Sequence, residues 1–164
     1  GYATVCNNAL VYGKARVYGS AEVGGKAQVC GNAKVYDKAY IAYSTITTDI
    51  FNNIEQYILS SLNIAPISKD KYIFYKRVNK LSKDKYSSIY DTKFKYSLGK
   101  ISKAKNPDTN KAASCSSGLH VSTATYWNEG DTLLAVEVKK SDIITVQDGK
   151  VRVKALKVLS EVKL

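Results

Sequence analysis

GYATVCNNALVYGKARVYGSAEVGGKAQVCGNAKVYDKAYI, residues 1–41, repeats every six positions. Alanine recurs every sixth position, at Ala3, Ala9, Ala15, Ala21, Ala27, Ala33 and Ala39. Two places after each stands Val5, Val11, Val17, Val23, Val29, Val35 or Ile41. Two places further on comes a turn former: Asn7, Gly13, Gly19, Gly25, Gly31 and Asp37. A fixed period is read before local propensity, because it means one structural unit stacked on itself. Six residues suit one short strand and one corner. Side chains alternate along a strand, so each Ala and its following Val or Ile point the same way. The residue between them, Thr4, Leu10, Arg16, Glu22, Gln28, Lys34 or Tyr40, points out, and that set is chemically mixed. Gly and Asn supply the positive-φ backbone that a sharp corner requires.

Three such strands make a triangular coil of eighteen residues, stacked on the next at the spacing of neighbouring strands, roughly 4.8 Å. Val5, Val23 and Ile41 then form one ladder, Val11 and Val29 a second, Val17 and Val35 a third. Outside, Arg16 lies below Lys34 and Tyr18 below Tyr36. Cys6 and Cys30 fall on different faces, so no disulfide joins them within one subunit. This pattern resembles the hexapeptide-repeat left-handed parallel β-helix. It departs in one respect: the family's glycine more often follows the aliphatic residue directly, and here it comes one place later. Trimers are common among proteins of this kind, so the resemblance implies a homo-oligomer, with a trimer as the first expectation. The repeat is already in phase at Gly1 and the chain has no Met, which implies further coils upstream.

The length of 164 residues allows the repeat plus one ordinary domain. Three cysteines without framework spacing argue for a reducing compartment. No apolar run reaches the ~20 residues of a membrane span, and no signal peptide is visible, so no membrane partner is expected. Over residues 47–63 the period changes. Ile50, Ile54, Ile58 and Leu62 fall four apart, Phe51, Tyr57 and Leu59 widen the stripe, Asp49 is placed to cap the start, and Pro66 lies just beyond the end. The spacing predicts an amphipathic helix of about fourteen residues covering the end of the coil.

From Ser68 the pattern is β-rich, with strands expected at 72–78, 88–95, 96–102, 118–122, 132–138, 143–146 and 150–162. Between them lie a polar loop at 103–115, a turn or short helix at 123–128, and an Asp148-Gly149 hairpin turn. The expected fold class is mainly β: a short left-handed parallel β-helix at 1–43, a capping or linker helix at 44–67, and a basic, β-rich α+β domain at 68–164. The net charge of +11 is concentrated in that last part, where residues 69–111 hold thirteen basic and four acidic side chains. Tyr72, Phe74, Tyr75, Tyr86, Tyr90, Phe94 and Tyr96 are interleaved with them. Lysines and aromatics in alternation suit a surface that tracks phosphates and stacks bases, and make Lys76, Arg77, Lys93, Lys95, Lys100, Lys103 and Lys105 candidate binding residues. The same lysines also keep strand edges soluble, with the aromatics as core.

Cys115-Ser-Ser-Gly-Leu-His-Val121, then Leu134-Ala-Val-Glu-Val138 and Gly149-Lys-Val-Arg-Val153, is similar to a C-terminal domain of unknown function found in bacteriophage and prophage proteins. That resemblance implies a binding protein acting on nucleic acid or a host protein, in the cytoplasm of a bacterial host. It transfers no catalytic activity. His120 is the only histidine, and with Cys115 it offers two metal ligands where three or four are needed, so no metal is expected. Acyl transfer, which some hexapeptide proteins perform, is disfavoured by the lack of histidine in residues 1–67. The order Tyr75-Lys-Arg-Val78, then Gly118-Leu-His-Val-Ser122, then a short helix and Leu133-Leu-Ala-Val-Glu137, loosely resembles the core of ADP-ribosyltransferase-like folds and the related RNA 2′-phosphotransferases. It would have Arg77, His120 and Arg152 bind NAD or phosphate, and Glu137 orient a ribose. NAD enters only under that alternative; otherwise no cofactor is called for.

Overall fold

The computed structural model describes residues 1–163; Leu164, the last residue of the expected third segment, lies outside them. The chain is mainly β and divides into two compact units. The first comprises residues 1–65, 109–115 and 145–150, the second 66–108, 116–144 and 151–164.

In the first unit each hexad makes a two-residue strand: β1 Thr4–Val5, β2 Leu10–Val11, β3 Arg16–Val17, β4 Glu22–Val23, β5 Gln28–Val29, β6 Lys34–Val35 and β7 Tyr40–Ile41. The chain visits three parallel ladders in turn and returns to the first after eighteen residues: Val5 pairs with Val23, Val23 with Ile41, Val11 with Val29, and Val17 with Val35. Asn7, Gly13, Gly19, Gly25, Gly31 and Asp37 all have positive φ, between 57° and 72°, as the corner requires. The alanine and valine rows are buried from Ala21 onward, while Thr4, Leu10, Arg16, Glu22, Lys34 and Tyr40 stay exposed. Tyr18 and Tyr36 stack with ring centroids 5.1 Å apart and planes 4° from parallel.

The segment after the repeat departs from expectation. An eighth strand, β8 Thr45–Ile46, continues the second ladder against β5, with Thr45 opposite Gln28 at an offset of seventeen rather than eighteen. The shortened corner passes through Ser44, at φ 59°. Asp49 does not cap a helix. It bridges to Lys34 in line with the third ladder, and its carboxylate accepts from the Phe51 amide and the Tyr36 hydroxyl. The helix α1, Ile54–Leu62, is therefore nine residues long, not fourteen, and Asn53 is its cap, accepting from the Gln56 amide. Helix competes here with a ladder that can still grow, and the ladder wins until its third side is filled. Once formed, α1 packs on β7 and β8, and the Ser60 carbonyl accepts from the Ala42 and Tyr43 amides.

The second unit holds β9 Lys71–Ser82, β10 Lys85–Ser87, β11 Lys95–Ser97, β12 Ile101–Lys103, β13 Leu119–Val121, β14 Thr132–Lys139, and β17 Ala155–Val162. β15 Ile143–Gln147 and β16 Lys150–Val153 are joined by the Asp148-Gly149 turn, both of whose residues have positive φ. Six strands form one antiparallel sheet in the order β11-β10-β9-β14-β17-β12. It nearly closes on itself. The 97–100 turn that links the two outer strands exchanges backbone hydrogen bonds with Val158 of β17, from the Gly99 amide and to the Lys100 carbonyl. Tyr72, Phe74, Tyr86, Tyr96, Leu134, Val136, Val138, Leu156 and Val158 are buried.

Three expected strands, 88–95, 96–102 and 150–162, are corrected; the last breaks at Lys154 into β16 and β17, which belong to different sheets. Ser88 and Phe94 bond across a loop that turns at Asp91, so 88–94 is a connection and not a strand. Gly99, at φ 72°, breaks the second into β11 and β12. Asp91 and Gly99 are turn residues on sequence grounds too; the aromatic-and-lysine composition around them carried the expected strands through both turns. The helical part expected of an α+β domain is reduced to a 3-10 turn at Lys140–Asp142, and α1 is the sole α-helix among the described residues. None of the described helices is long and apolar enough to cross a membrane.

Candidate functional site

Alternation along the strands sorts the basic residues of the second unit. At β11, Tyr96 is buried while Lys95 is exposed; at β17, Leu156 and Val158 are buried while Lys157 between them is exposed. Lys157 lies opposite Ile101 and Lys103 opposite Ala155. Lys157 and Lys103 are thus diagonal neighbours on the outer face, roughly 7–8 Å apart by strand geometry. Lys100 sits in the turn bonded to Val158. Lys85 faces Ser97, and Lys95 faces Ser87. Lys83, Lys93 and Lys105 are exposed in the adjoining turns.

Three acidic groups of the unit are engaged, while Asp84 stands between Lys83 and Lys85. Glu161 pairs with Lys80 at 2.6 Å, Glu137 with Lys71 at 3.2 Å, and Asp91 accepts from the Lys93 backbone amide. Among the described residues, Lys83, Lys85, Lys93, Lys95, Lys100, Lys103, Lys105 and Lys157 have no carboxylate partner. Like charges at this spacing repel one another, and a polyanion laid along them relieves that repulsion. Tyr90, 78% exposed, and Ile101, 61% exposed, add apolar surface to the same unit.

A second cluster is built by the two sequence motifs. β13 pairs with β16 so that His120 stands opposite Arg152, on one face of the pair. Arg152 is 1% exposed, and its Nη1 lies 3.7 Å from Asp108 Oδ2. The Ser116 hydroxyl donates to the same Oδ2, and Ser117 donates to the Asn106 carbonyl. Gly118 runs beneath the arginine stem: a Cβ there would stand 2.7 Å from Arg152 Cγ. The motif glycine therefore leaves room for the motif arginine.

Not all the candidates join this cluster. Arg77 is on β9, half-buried, and its Nε makes no hydrogen bond. Its strand partner is Leu133, whereas Glu137 stands opposite Ile73. That is four residues along the ladder, roughly 13 Å. Glu137 is moreover held by Lys71. His120 and Arg152 come together, and Glu137 stands apart from Arg77. Cys115 is exposed, and no group of three His, Cys, Asp or Glu side chains gathers as a metal site among the described residues.

Lys76 differs from the other lysines. It alternates with Tyr72, Phe74 and Val78 on the inward face of β9, and only part of its surface is exposed. Its Nζ donates to the His120 carbonyl at 2.9 Å, and lies 5.5 Å from the Tyr96 ring and 5.9 Å from the Trp127 ring. Burial lowers the pKa of this amine to about 8. Burial also holds the Tyr96 phenol far above its ordinary range. Asp108, Ser116 and Trp127 were not singled out by sequence. Asp108 sits in a run read as loop, and nothing in its spacing points to Arg152.

Compared with protein-family models, with curated proteins and with solved structures, the chain matches none.

Proposed function

We propose that this chain is an oligomeric, phage- or prophage-type binding protein whose second unit takes a nucleic acid. One observation carries the reading: exposed lysines that lack a carboxylate partner lie on and beside β11, β12 and β17, with Lys103 and Lys157 diagonal neighbours and Lys100 in the turn bonded to Val158, while Glu137 and Glu161 are paired with Lys71 and Lys80. In this reading residues 1–46 wind as a left-handed parallel β-helix, supported by the eighteen-residue pairing register and the positive-φ corners. That coil is the rigid oligomerising part, a trimer, supported by exposed Tyr2, Leu10, Tyr12, Tyr18 and Tyr43. It works in the cytoplasm of a bacterial host.

Titration of a fluorescent oligonucleotide at several salt concentrations tests it. Contacts from about five lysines give a slope of log K against log salt near −3.5 to −4.5. The triple charge reversal Lys100→Glu, Lys103→Glu, Lys157→Glu should reduce that slope by about 3 and weaken binding of every sequence alike. Salt-independent binding, or none at low salt, rejects the reading in favour of a host-protein partner.

The runner-up is an ADP-ribosyltransferase-like enzyme, and the His120–Arg152 cross-strand pair favours it. Arg152 and His120 would hold the phosphates of NAD. The separation of Arg77 from Glu137 weighs against a ribose-orienting role for Glu137 beside that arginine. A rise in Tm with NAD, lost in His120→Ala, would move this reading ahead.

A further inference from the structure

An ordinary lysine on a barrel wall buries its methylenes and carries its ammonium out to water. Lys76 does not. It occupies an inward position of β9, and its Nζ ends between the faces of Tyr96 and Trp127 with the His120 carbonyl as its hydrogen-bond acceptor. No carboxylate pairs with it among the described residues. Phe94 packs at a tilt on Tyr96, with centroids 5.0 Å apart, and Tyr126 packs edge-on to Trp127 at 4.6 Å, so each of the two rings at the amine is backed by another. Tyr126 is 36% exposed, and Trp127 and Lys76 each keep part of their surface.

These surroundings suit a neutral amine better than an ammonium. An uncompensated charge on the inner face of a sheet is costly, and a backbone carbonyl accepts a hydrogen bond equally from –NH2. The two ring faces return part of that cost to the ammonium, at distances near the outer limit of a cation–π contact. The titratable side chains of the cluster itself are Tyr96 on β11, His120 on β13 and Tyr126 beside Trp127; on β14 Leu134 stands opposite Lys76, Glu137 is three residues further along and held by Lys71, and β10 carries Lys85 and Tyr86.

We propose that Lys76 is a nucleophilic amine whose ring-lined recess takes a small aromatic aldehyde and binds it covalently as an imine. The amine nitrogen attacks the carbonyl carbon, and a C–N bond forms. The two amine protons leave with the carbonyl oxygen as water, and a C=N bond remains. Tyr96 and Trp127 flank the aldehyde's ring as they flank the amine. The proposal is independent of the basic outer surface, which lies on the opposite face of these strands.

Benzaldehyde is the probe. At pH 7.5 an amine of pKa about 8 is about a quarter neutral, roughly two hundred times the fraction of an ordinary lysine. The protein is treated with limiting benzaldehyde and cyanoborohydride, and the benzylated lysines are mapped by peptide mass spectrometry. Lys76 should carry the label at least about tenfold above exposed Lys83 and Lys93. Label spread evenly over the exposed lysines, or absent from Lys76, overturns the proposal. Trp127 is the only tryptophan, so its fluorescence should fall as the imine forms and recover on dilution. Lys76→Met should abolish that change. A fluorescence change that persists in Lys76→Met also overturns it. Should the methionine variant not fold, the map on the unaltered protein decides alone.

Discussion

Gly118 and Arg152 occupy one space between them: the missing side chain of the first is where the stem of the second runs, and an added methyl would lie 2.7 Å from Cγ and 2.9 Å from Cδ. Gly118 also has φ 149°, outside the range an L side chain adopts at ease. Gly118→Ala should therefore displace a buried arginine and strain the loop together, at about 3 kcal/mol. Urea unfolding reads this as a lower midpoint with an unchanged slope. A loss under 1 kcal/mol would mean the loop gives way freely and the motif glycine has another purpose.

The corners of the first unit offer a graded test. Gly25 and Gly31 share a left-handed backbone, φ 59° and 63°, but not the same room. A Cβ on Gly25 would stand 2.6 Å from the Ala42 carbonyl oxygen, while one on Gly31 meets only the Thr47 oxygen, at 3.4 Å. Both alanine variants pay for the backbone, about 1–2 kcal/mol. Gly25→Ala should lose roughly 1–2 kcal/mol more by overpacking, and Tm should rank the two accordingly. Equal losses would show that the eighteen-residue stack tolerates a shifted rung.

Stability should respond to alkaline pH with a recognisable shape. The folded-state pKa of Lys76 is lowered to about 8, against an unfolded value near 10.5. Between those values the unfolded chain holds a proton that the folded chain has released, so stability rises with pH across the window, by up to about 3 kcal/mol. Tyr36 and Tyr86 act oppositely. Burial and the carboxylates of Asp49 and Glu161 push their phenols up to about 12. Their contribution is whole below pH 10 and is lost as pH rises through 12. The expected maximum is near pH 9–10, and Lys76→Met should remove the rising limb while keeping the fall. Thermal melts from pH 7 to 12 check both arms.

Tyr36 joins the coil to the segment that follows it. Its hydroxyl donates to Asp49, which in turn accepts from the Phe51 amide, and its ring lies against both Tyr18 and Phe51. Tyr36→Phe keeps the rings and removes only the hydroxyl, so the expected loss is about 1 kcal/mol. Tyr36→Ala removes the stack as well and should lose 3 kcal/mol or more. If the two variants melt alike, the stack contributes nothing and the hydrogen bond is the whole effect.

Most of the first unit was legible before any coordinates. The register Val5–Val23–Ile41, the corner residues and the stacking of Tyr18 on Tyr36 all follow from the repeat, because each rung answers to a neighbour one turn away in the same periodic sequence. The eighth strand was not legible. Thr45–Ile46 lacks the alanine of the repeat, and only the open edge of Gln28–Val29 makes it a strand. In the second unit Asp91 and Gly99 were legible as turn residues, but not that the chain turns at them inside the expected strands, because the composition around them reads as strand throughout.

What the amino-acid order determined alone is therefore the periodic part: its strands, its corners, and the excess of lysine after residue 68. Tertiary structure alone decided that Asp108 meets Arg152, that Arg77 and Glu137 stand apart on one ladder, and that Lys76 ends among rings. The reason is physical. A repeat couples residues at a constant separation, which can be read by counting. A nearly closed sheet couples strands through pairings of unequal length, and no local pattern states which inward position a distant ring will face.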